Sequence, residues 1–130
     1  MTPPEAPLTS EAPPPAASVR LQVLKKRGDF VRAARARRQA THGFLLQARQ
    51  RHPDEAHGIR VGYTCSKKVG NAVQRNRAKR RLRSIAAQVL PEAGCEGWDY
   101  VLIGRAQSTA KRAYQDLVAD LRYALRRIHS

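Results

Sequence analysis

The sequence is poor in acidic and aromatic residues and contains no long apolar run. Ten Asp and Glu stand against 25 Lys and Arg, which gives a formal net charge of +15 on 130 residues. No stretch approaches the ~20 apolar residues of a membrane-spanning helix, and neither end carries a lipidation signal. A chain this basic therefore indicates a nucleic-acid partner in preference to a membrane surface.

Cysteine is also scarce. Cys65 and Cys95 form no C-x-x-C pair, and the four histidines are not spaced around them as zinc ligands would be. We therefore expect no metal site and two partly buried thiols. Because no secretory signal is present, we expect a cytoplasmic protein without a disulfide.

Motifs for catalysis are missing as well. Neither G-x-x-x-x-G-K nor G-x-G-x-x-G occurs. A two-metal nuclease needs several converging carboxylates, but the acidic residues are scattered over loops and helix surfaces. No histidine has a nucleophile at a recognisable spacing. We expect no catalytic residues on this chain.

The composition changes near residue 18. Residues 1–18 contain six of the eight prolines and no Lys or Arg. Such a segment buries too little apolar surface to offset the entropy lost on ordering. We predict a disordered tail over residues 1–18 and a single domain over residues 19–130.

What the sequence has in abundance is positive charge over residues 67–83, KKVGNAVQRNRAKRRLR. Eight of these seventeen residues are Lys or Arg and none is acidic. Asn71 is a good N-cap, and the pattern predicts a helix from there to Leu90, ended by Pro91. With successive residues about 100° apart, one arc of this helix is apolar: Leu82, Ile85, Ala86 and Val89.

The polar residues of this predicted helix divide into an outward face and a flank beside the apolar arc. The outward face consists of Arg77, Arg80 and Arg81. The flank consists of Arg75, Asn76, Lys79 and Arg83. Like charges three and four residues apart repel by a few tenths of a kcal/mol per pair, and no Glu is interleaved. An anionic partner is favoured over the alternative of a merely solvated, soluble face.

The remaining elements predict an α+β fold. We expect a helix at about residues 25–38, strands at 43–50, 58–65 and Trp98–Gly104, a possible short strand at 39–42, and a last helix from Ser108 to about Ile128. The strands at 43–50 and 58–65 are expected to pair as an antiparallel hairpin. The order α-β-β(-β)-α-β-α predicts a two-layer α/β sandwich, with helices mostly covering one face of a small mixed sheet.

The run SKKVGNAVQRNRAKRRLR, residues 66–83, closely resembles the signature of the bacterial ribonuclease P protein component. Its core is the RNR triplet Arg75, Asn76 and Arg77, followed by Lys79, Arg80 and Arg83. Support comes from LKKRGDF at 24–30, VGYTCSKKVG at 61–70 and DYVLIGR at 99–105. The resemblance covers roughly residues 20–128, in the family's order.

The resemblance implies a subunit of an endoribonuclease. The chain would bind the catalytic RNA subunit and the 5′ leader of precursor tRNA, and would assist removal of the leader. The RNA would carry the active site and its Mg²⁺, so no cofactor is expected on the chain. The family fold also implies a left-handed β-α-β crossover through the RNR helix, although ~98% of such crossovers are right-handed.

The resemblance also implies two sets of site residues. Contacts with the RNA subunit are expected from Lys67, Lys68, Arg77, Arg80 and Arg81. The leader cleft is expected to be formed by Phe30, Leu45, Arg75, Asn76, Lys79 and Arg83, with Phe30 and Leu45 on its floor. The residues alone favour a core position for Phe30, a single aromatic in a helix.

Two positions depart from the family pattern. Ala34 and Gln47 stand where aromatic residues are usual, and stacking of a base on an aromatic ring is worth ~1–3 kcal/mol. We therefore expect leader binding to depend more on charge in this chain. Two alternatives stay open: another nucleic-acid-binding module of the same fold, such as a ribosomal protein, and a self-sufficient nuclease.

Overall fold

The computed structural model describes residues 21–55 and 57–130, so the tail predicted at residues 1–18 lies outside the described residues. The elements are β1 (Leu21–Val23), α1 (Arg27–Ala34), β2 (Arg37–Ala40), β3 (Phe44–Gln50), β4 (Ile59–Thr64), a 3₁₀ turn (Lys67–Val69), α2 (Ala72–Ala93), β5 (Trp98–Gly104), α3 (Ser108–Lys111) and α4 (Tyr114–His129). The predicted α+β class is confirmed. No helix in the described ranges is long and apolar enough to cross a bilayer.

The five strands form one mixed sheet in the order β1-β4-β5-β3-β2. β1, β4 and β5 run parallel to one another, whereas β3 is antiparallel to both β5 and β2. The predicted hairpin between residues 43–50 and 58–65 is wrong, because β5 lies between β3 and β4 and pairs with both. The apolar VLI run of β5 suits this central, doubly covered position.

The short strand predicted at residues 39–42 corresponds to β2, which begins and ends two residues earlier. β1 was not predicted, because three residues are too few to show an alternating pattern. α1 is shorter than the predicted 25–38, because the chain enters β2 at Arg37. The β4-α2-β5 unit joins two adjacent parallel strands, and its left-handedness stays a prediction from the resemblance.

The helix that carries the RNR triplet begins as predicted. The Asn71 side chain accepts a hydrogen bond from the Gln74 backbone N–H, and the Gln74 side chain accepts one from the Asn71 N–H, both at 2.9 Å. This reciprocal capping box satisfies two backbone donors at the helix start. The predicted end is wrong: Pro91 lies inside the last turn, and α2 continues to Ala93. Pro91 has no N–H to donate to the helix, and α2 ends two residues after it.

The main core lies between the sheet and helices α2 and α4. The predicted apolar arc of α2 is completely buried there, with Leu82, Ile85, Ala86 and Val89 all 0% exposed. The sheet contributes alternate residues of β3, β4 and β5, and α4 contributes Leu117, Val118, Leu121, Ala124, Leu125 and Ile128. This packing fixes the rotation of α2 about its own axis.

The first helix packs on the opposite face of the sheet. Ala33 and Phe30 of α1 form a second cluster there with Leu24, Val101 and Ile103. A Cβ built on Gly62 of β4 would come within 2.5 Å of the Phe30 ring, so the bare backbone of Gly62 lets α1 approach. The helices therefore lie mostly on one face, as expected, with α2 and α4 on that face and α1 on the other.

The last predicted helix is divided into two. α3 ends at Lys111 and α4 begins at Tyr114, because Arg112 adopts an extended conformation with ψ of 143°. The Arg112 guanidinium binds Asp120, with Nε 2.7 Å from Oδ2 and Nη2 3.1 Å from Oδ1. The sequence predicted one continuous helix here, because no Gly or Pro lies near Arg112 to mark the break.

A buried carboxylate gathers arginines at the Trp98 end of β5. Asp99 is 0% exposed, and it accepts hydrogen bonds from Arg51 Nη1 at 2.6 Å and from Arg60 Nε and Nη2 at 2.8 Å. Arg49 Nη1 lies 3.5 Å from the same group. The register explains the cluster, since Arg60 and Arg49 are the neighbours of Asp99 on β4 and β3.

We expect Asp99→Asn to lower the free energy of unfolding by about 3–5 kcal/mol, the usual cost of removing one partner from a buried ion pair. Urea denaturation followed by circular dichroism measures the loss. The matched control is Glu92→Gln, which removes the exposed pair with Arg122 and is expected to cost less than about 1 kcal/mol. Equal losses in the two variants would contradict the assignment.

Candidate nucleic-acid interface

Five acidic residues in the described part of the domain form ion pairs outside the basic segment of residues 67–83. Asp29, Glu55, Asp99 and Asp120 bind arginines of the sheet, α1 and the α3–α4 junction, and Glu92 binds Arg122. Among the residues that the structure describes, none of these ion pairs includes a Lys or Arg between positions 67 and 83. The charge of this segment is therefore left for a partner.

Most of the residues assigned to the RNA subunit lie on an open surface. Arg77 and Arg80 are exposed on α2, and Lys67 and Lys68 are exposed on the 3₁₀ turn that precedes it. The turn is anchored at its start, because the Ser66 hydroxyl accepts a hydrogen bond from the Lys68 backbone N–H at 3.2 Å. Four ammonium and guanidinium groups thus stand on ordered backbone and face water.

Arg81 has a different environment from the one expected for an RNA contact. It is half-buried, and its guanidinium donates to the backbone carbonyls of Thr109 at 3.1 Å, Ala110 at 2.6 Å and Arg112 at 2.6 Å. These acceptors belong to α3 and the α3–α4 junction. The charge of Arg81 stays near the surface, but both of its terminal nitrogens already have partners.

The flank of α2 lies beside the end of β4. The Arg83 guanidinium lies 5.5 Å from the centre of the Tyr63 ring, a cation–π geometry. Burial raises the pKa of Tyr63, and the charge of Arg83 partly opposes that rise. Tyr63 was not among the predicted site residues. Because Tyr63 lies two residues after Val61 on β4, the sequence indicated which face of the sheet it occupies. The sequence did not show that Arg83 packs against its ring.

Arg75 and Lys79 belong to the same flank. Burial raises the pKa of the Cys65 thiol, whereas a hydrogen bond with the Gly104 backbone and the charges of Lys79 and Arg75 lower it. Both cations are therefore close to the carboxyl end of β4. In the described part of the chain, the Arg75 Nε–H is buried without a hydrogen-bond partner, while Asn76 is exposed.

The predicted floor of the cleft lies on the other face of β4. Phe30 is half-buried against Gly62, and Leu45 is half-buried on β3, where it pairs in register with Ile103. Because Gly62 and Tyr63 are consecutive, the aromatic floor and the basic flank reach the same strand from opposite sides. β1 pairs only with Ile59–Val61. Beyond Val61, no described strand covers this edge of β4, so no strand lies between the aromatic floor and the basic flank there.

At the two positions that depart from the family pattern, this floor has no aromatic ring. Ala34 is exposed at the end of α1, and Gln47 is buried on the α1 face of β3 with 8% exposure.

The described residues contain no group of metal ligands. No three His, Cys, Asp or Glu side chains come together as ligands within residues 21–55 and 57–130.

Comparisons with known proteins agree with this geometry. The family model described as Ribonuclease P matches residues 19–129. The chain is 60% identical to the ribonuclease P protein component of Ruegeria pomeroyi over 121 residues, which cover 90% of this chain and 97% of that protein. It is 50% identical to the component of Paramagnetospirillum magneticum over 114 residues, with 85% of each chain covered.

Solved structures show the same similarity. The RNase P protein of Staphylococcus aureus superimposes with a TM-score of 0.65 at 27% identity, covering 82% of this chain and 94% of that one. The RNase P protein of Thermotoga maritima superimposes with a TM-score of 0.68, covering 84% and 99%. At 24% identity, the second match shows the fold alone.

The position of Lys79 can be tested through Cys65. In a Cys95→Ser background, we expect Lys79→Ala to raise the pKa of Cys65 further, because a neighbouring positive charge that favours the thiolate is removed. Alkylation by iodoacetamide, followed against pH, should then reach its half-maximal rate at a higher pH. Arg80→Ala on the outward face is the control and should leave the profile unchanged. Identical profiles for both variants would place Lys79 elsewhere.

Proposed function

The chain belongs to the ribonuclease P protein family, and from this membership we propose that α2 binds two RNAs, one on its outward face and one along its flank. Proteins of this family assist a catalytic RNA in removing the 5′ leader of precursor tRNA. The observation that carries the proposal is a helix with two basic surfaces, no described acidic partner on either, and a buried apolar arc that fixes their directions. We place this activity in the cytoplasm.

The outward surface suits the RNA subunit of the enzyme. Arg77 and Arg80 offer planar forks of donors that match phosphate oxygens, and Lys67 and Lys68 add point charges at the start of the helix. All four groups are exposed. Such an array favours a structured polyanion whose phosphates lie close together.

The flank suits the single-stranded leader of precursor tRNA. Lys79 and Arg83 would contact its phosphates, and Arg75 adds a third cation to the same flank. Phe30 and Leu45 offer an apolar surface for bases on the far side of β4. With Ala34 and Gln47 in place of aromatics, fewer bases can stack, so charge carries more of this contact.

The residues of this chain bind and orient RNA, and the RNA subunit with its Mg²⁺ supplies the cleavage chemistry. Bringing a tRNA precursor to an RNA enzyme joins two polyanions, which repel each other unless cations lie between them. The basic surfaces of α2 supply those cations on the protein side. The expected consequence is a lower magnesium requirement for cleavage.

A reconstitution assay with precursor tRNA and the RNA subunit at low magnesium tests this proposal. The wild-type chain should stimulate leader removal and should cleave nothing alone. We expect Arg77→Ala to weaken binding to the RNA subunit and to reduce the salt slope of log K by about one, the loss of one phosphate contact. Arg127→Ala, an exposed arginine near the C-terminus of α4, is the matched control. No stimulation by the wild-type chain, or cleavage without the RNA subunit, would contradict the proposal.

The division of α2 is tested by a second variant. Lys79→Ala should reduce the holoenzyme's preference for precursor over mature tRNA by about threefold to tenfold, because only the precursor carries a leader for the flank to bind. Affinity for the RNA subunit should change less than twofold. Competition binding of the two tRNAs to the assembled holoenzyme measures the preference. If Arg77→Ala and Lys79→Ala lose both activities equally, the two surfaces are not separate.

A further inference from the structure

A continuous groove runs between the N-terminal half of α2 and the α3–α4 junction. One part, around Gln74, Arg77 and Lys111, has a cavity volume of about 570 Å³. The next part, around Arg77, Arg80 and Tyr114, has a volume of about 390 Å³. Both parts are lined by Arg77 and Arg81, so they form one path across the outward face.

The groove is positive along its length. The cations that line it are Arg77, Arg80, Arg81, Lys111 and Arg112, and no carboxylate belongs to the described lining. Asp120 neutralises Arg112, but no described acidic residue pairs with Arg77, Arg80 or Lys111. Lys111 lies outside the basic segment of residues 67–83, and it shares the lining of the groove with Arg77. A polyanion with regularly spaced charges fits such a path.

Arg81 holds one wall of this groove in place. α3 has only four residues, too few to be stable through its own hydrogen bonds. The three carbonyls that accept hydrogen bonds from Arg81 lie at Thr109, Ala110 and Arg112, on both sides of Lys111 in sequence. By covering these oxygens, Arg81 also shields their partial negative charge from an approaching phosphate.

We infer that Arg81 is a positioning residue, which holds Lys111 opposite Arg77 so that the groove grips the phosphate backbone of the RNA subunit from two sides. This inference rests on the proposed function of the outward face and extends that face to α3. It replaces the expected direct contact of Arg81 with RNA by an indirect one. Lys111 becomes an RNA contact that the helix pattern did not predict.

A double-mutant cycle on the full chain tests the inference, with affinity for the RNA subunit measured over a series of salt concentrations. Lys111→Ala should weaken binding about fivefold and reduce the salt slope by about one. Arg81→Lys keeps the charge, but one ammonium group cannot span three carbonyls, so it should weaken binding at least as much. In the Arg81→Lys background, Lys111→Ala should add less than a twofold effect. Arg127→Ala serves as the control for loss of charge.

Hydrogen exchange gives a readout that does not depend on RNA. In Arg81→Lys, the amides of residues 108–113 should exchange about tenfold faster, while those of α4 stay unchanged. Unchanged exchange at residues 108–113 would overturn the positioning role. So would effects of Arg81→Lys and Lys111→Ala that multiply, because Arg81 would then act independently of Lys111.

Comparing Arg77→Ala with Lys111→Ala distinguishes failure of this inference from failure of the proposed function of α2. If Arg77→Ala weakens binding and Lys111→Ala does not, the groove is not the binding path, and the proposed function of α2 stands. If neither variant weakens binding, the outward face does not bind the RNA subunit, and both the inference and the proposed function are overturned.

Discussion

Burial of the apolar side of α2 is the interaction on which the rest of the structure depends. Complete burial of a large aliphatic side chain contributes about 1.5–3 kcal/mol, and Leu82, Ile85 and Val89 are all 0% exposed. Repulsion between like charges one turn apart costs only a few tenths of a kcal/mol per pair. Burial therefore outweighs the repulsion severalfold, and the helix can hold its cations in fixed directions without acidic neighbours.

The few acidic residues act elsewhere in the fold. Asp99 binds arginines of the sheet, Asp120 holds the junction before α4, and Asp29 binds Arg32 within α1. Each of these carboxylates fixes local structure and also neutralises the charge of an arginine. Residues 67–83 contain no acidic residue, so the eight cations of this segment keep their charge.

The sequence predicted α2 and its faces well, because a 3.6-residue period, a cap and a run of cations are local signals. Pairing between strands is not local. Nothing in residues 43–50 or 58–65 shows that β5 inserts between them, so the hairpin was predicted wrongly. The position of α1 depended on Gly62. The lack of a side chain at Gly62 indicates close helix packing only once it is known that Phe30 lies against it.

The site residues show the same difference between local signals and contacts with distant parts of the chain. The flank and outward face could be assigned from helix geometry and the family signature, but Tyr63 and Lys111 lie on other elements. Arg81 shows the limit most clearly. Its position on the helix suggested a solvent-facing contact, yet three carbonyls more than 25 residues away accept its hydrogen bonds. Spacing along a helix gives the direction of a side chain and does not identify what it meets.

In the proposed arrangement, the width of one helix sets the distance between the two RNA strands. An α-helix with its side chains is about 10–12 Å across, close to the screening length of about 8–10 Å at physiological salt. Two RNA strands held on different sides of α2 would therefore repel each other appreciably. Arg77 and Lys79, which lie about 160° apart around the axis, place positive charge in the space between them. A Glu on either surface would weaken both contacts at once, which gives a physical reason for an RNR helix without acidic residues before its last turn.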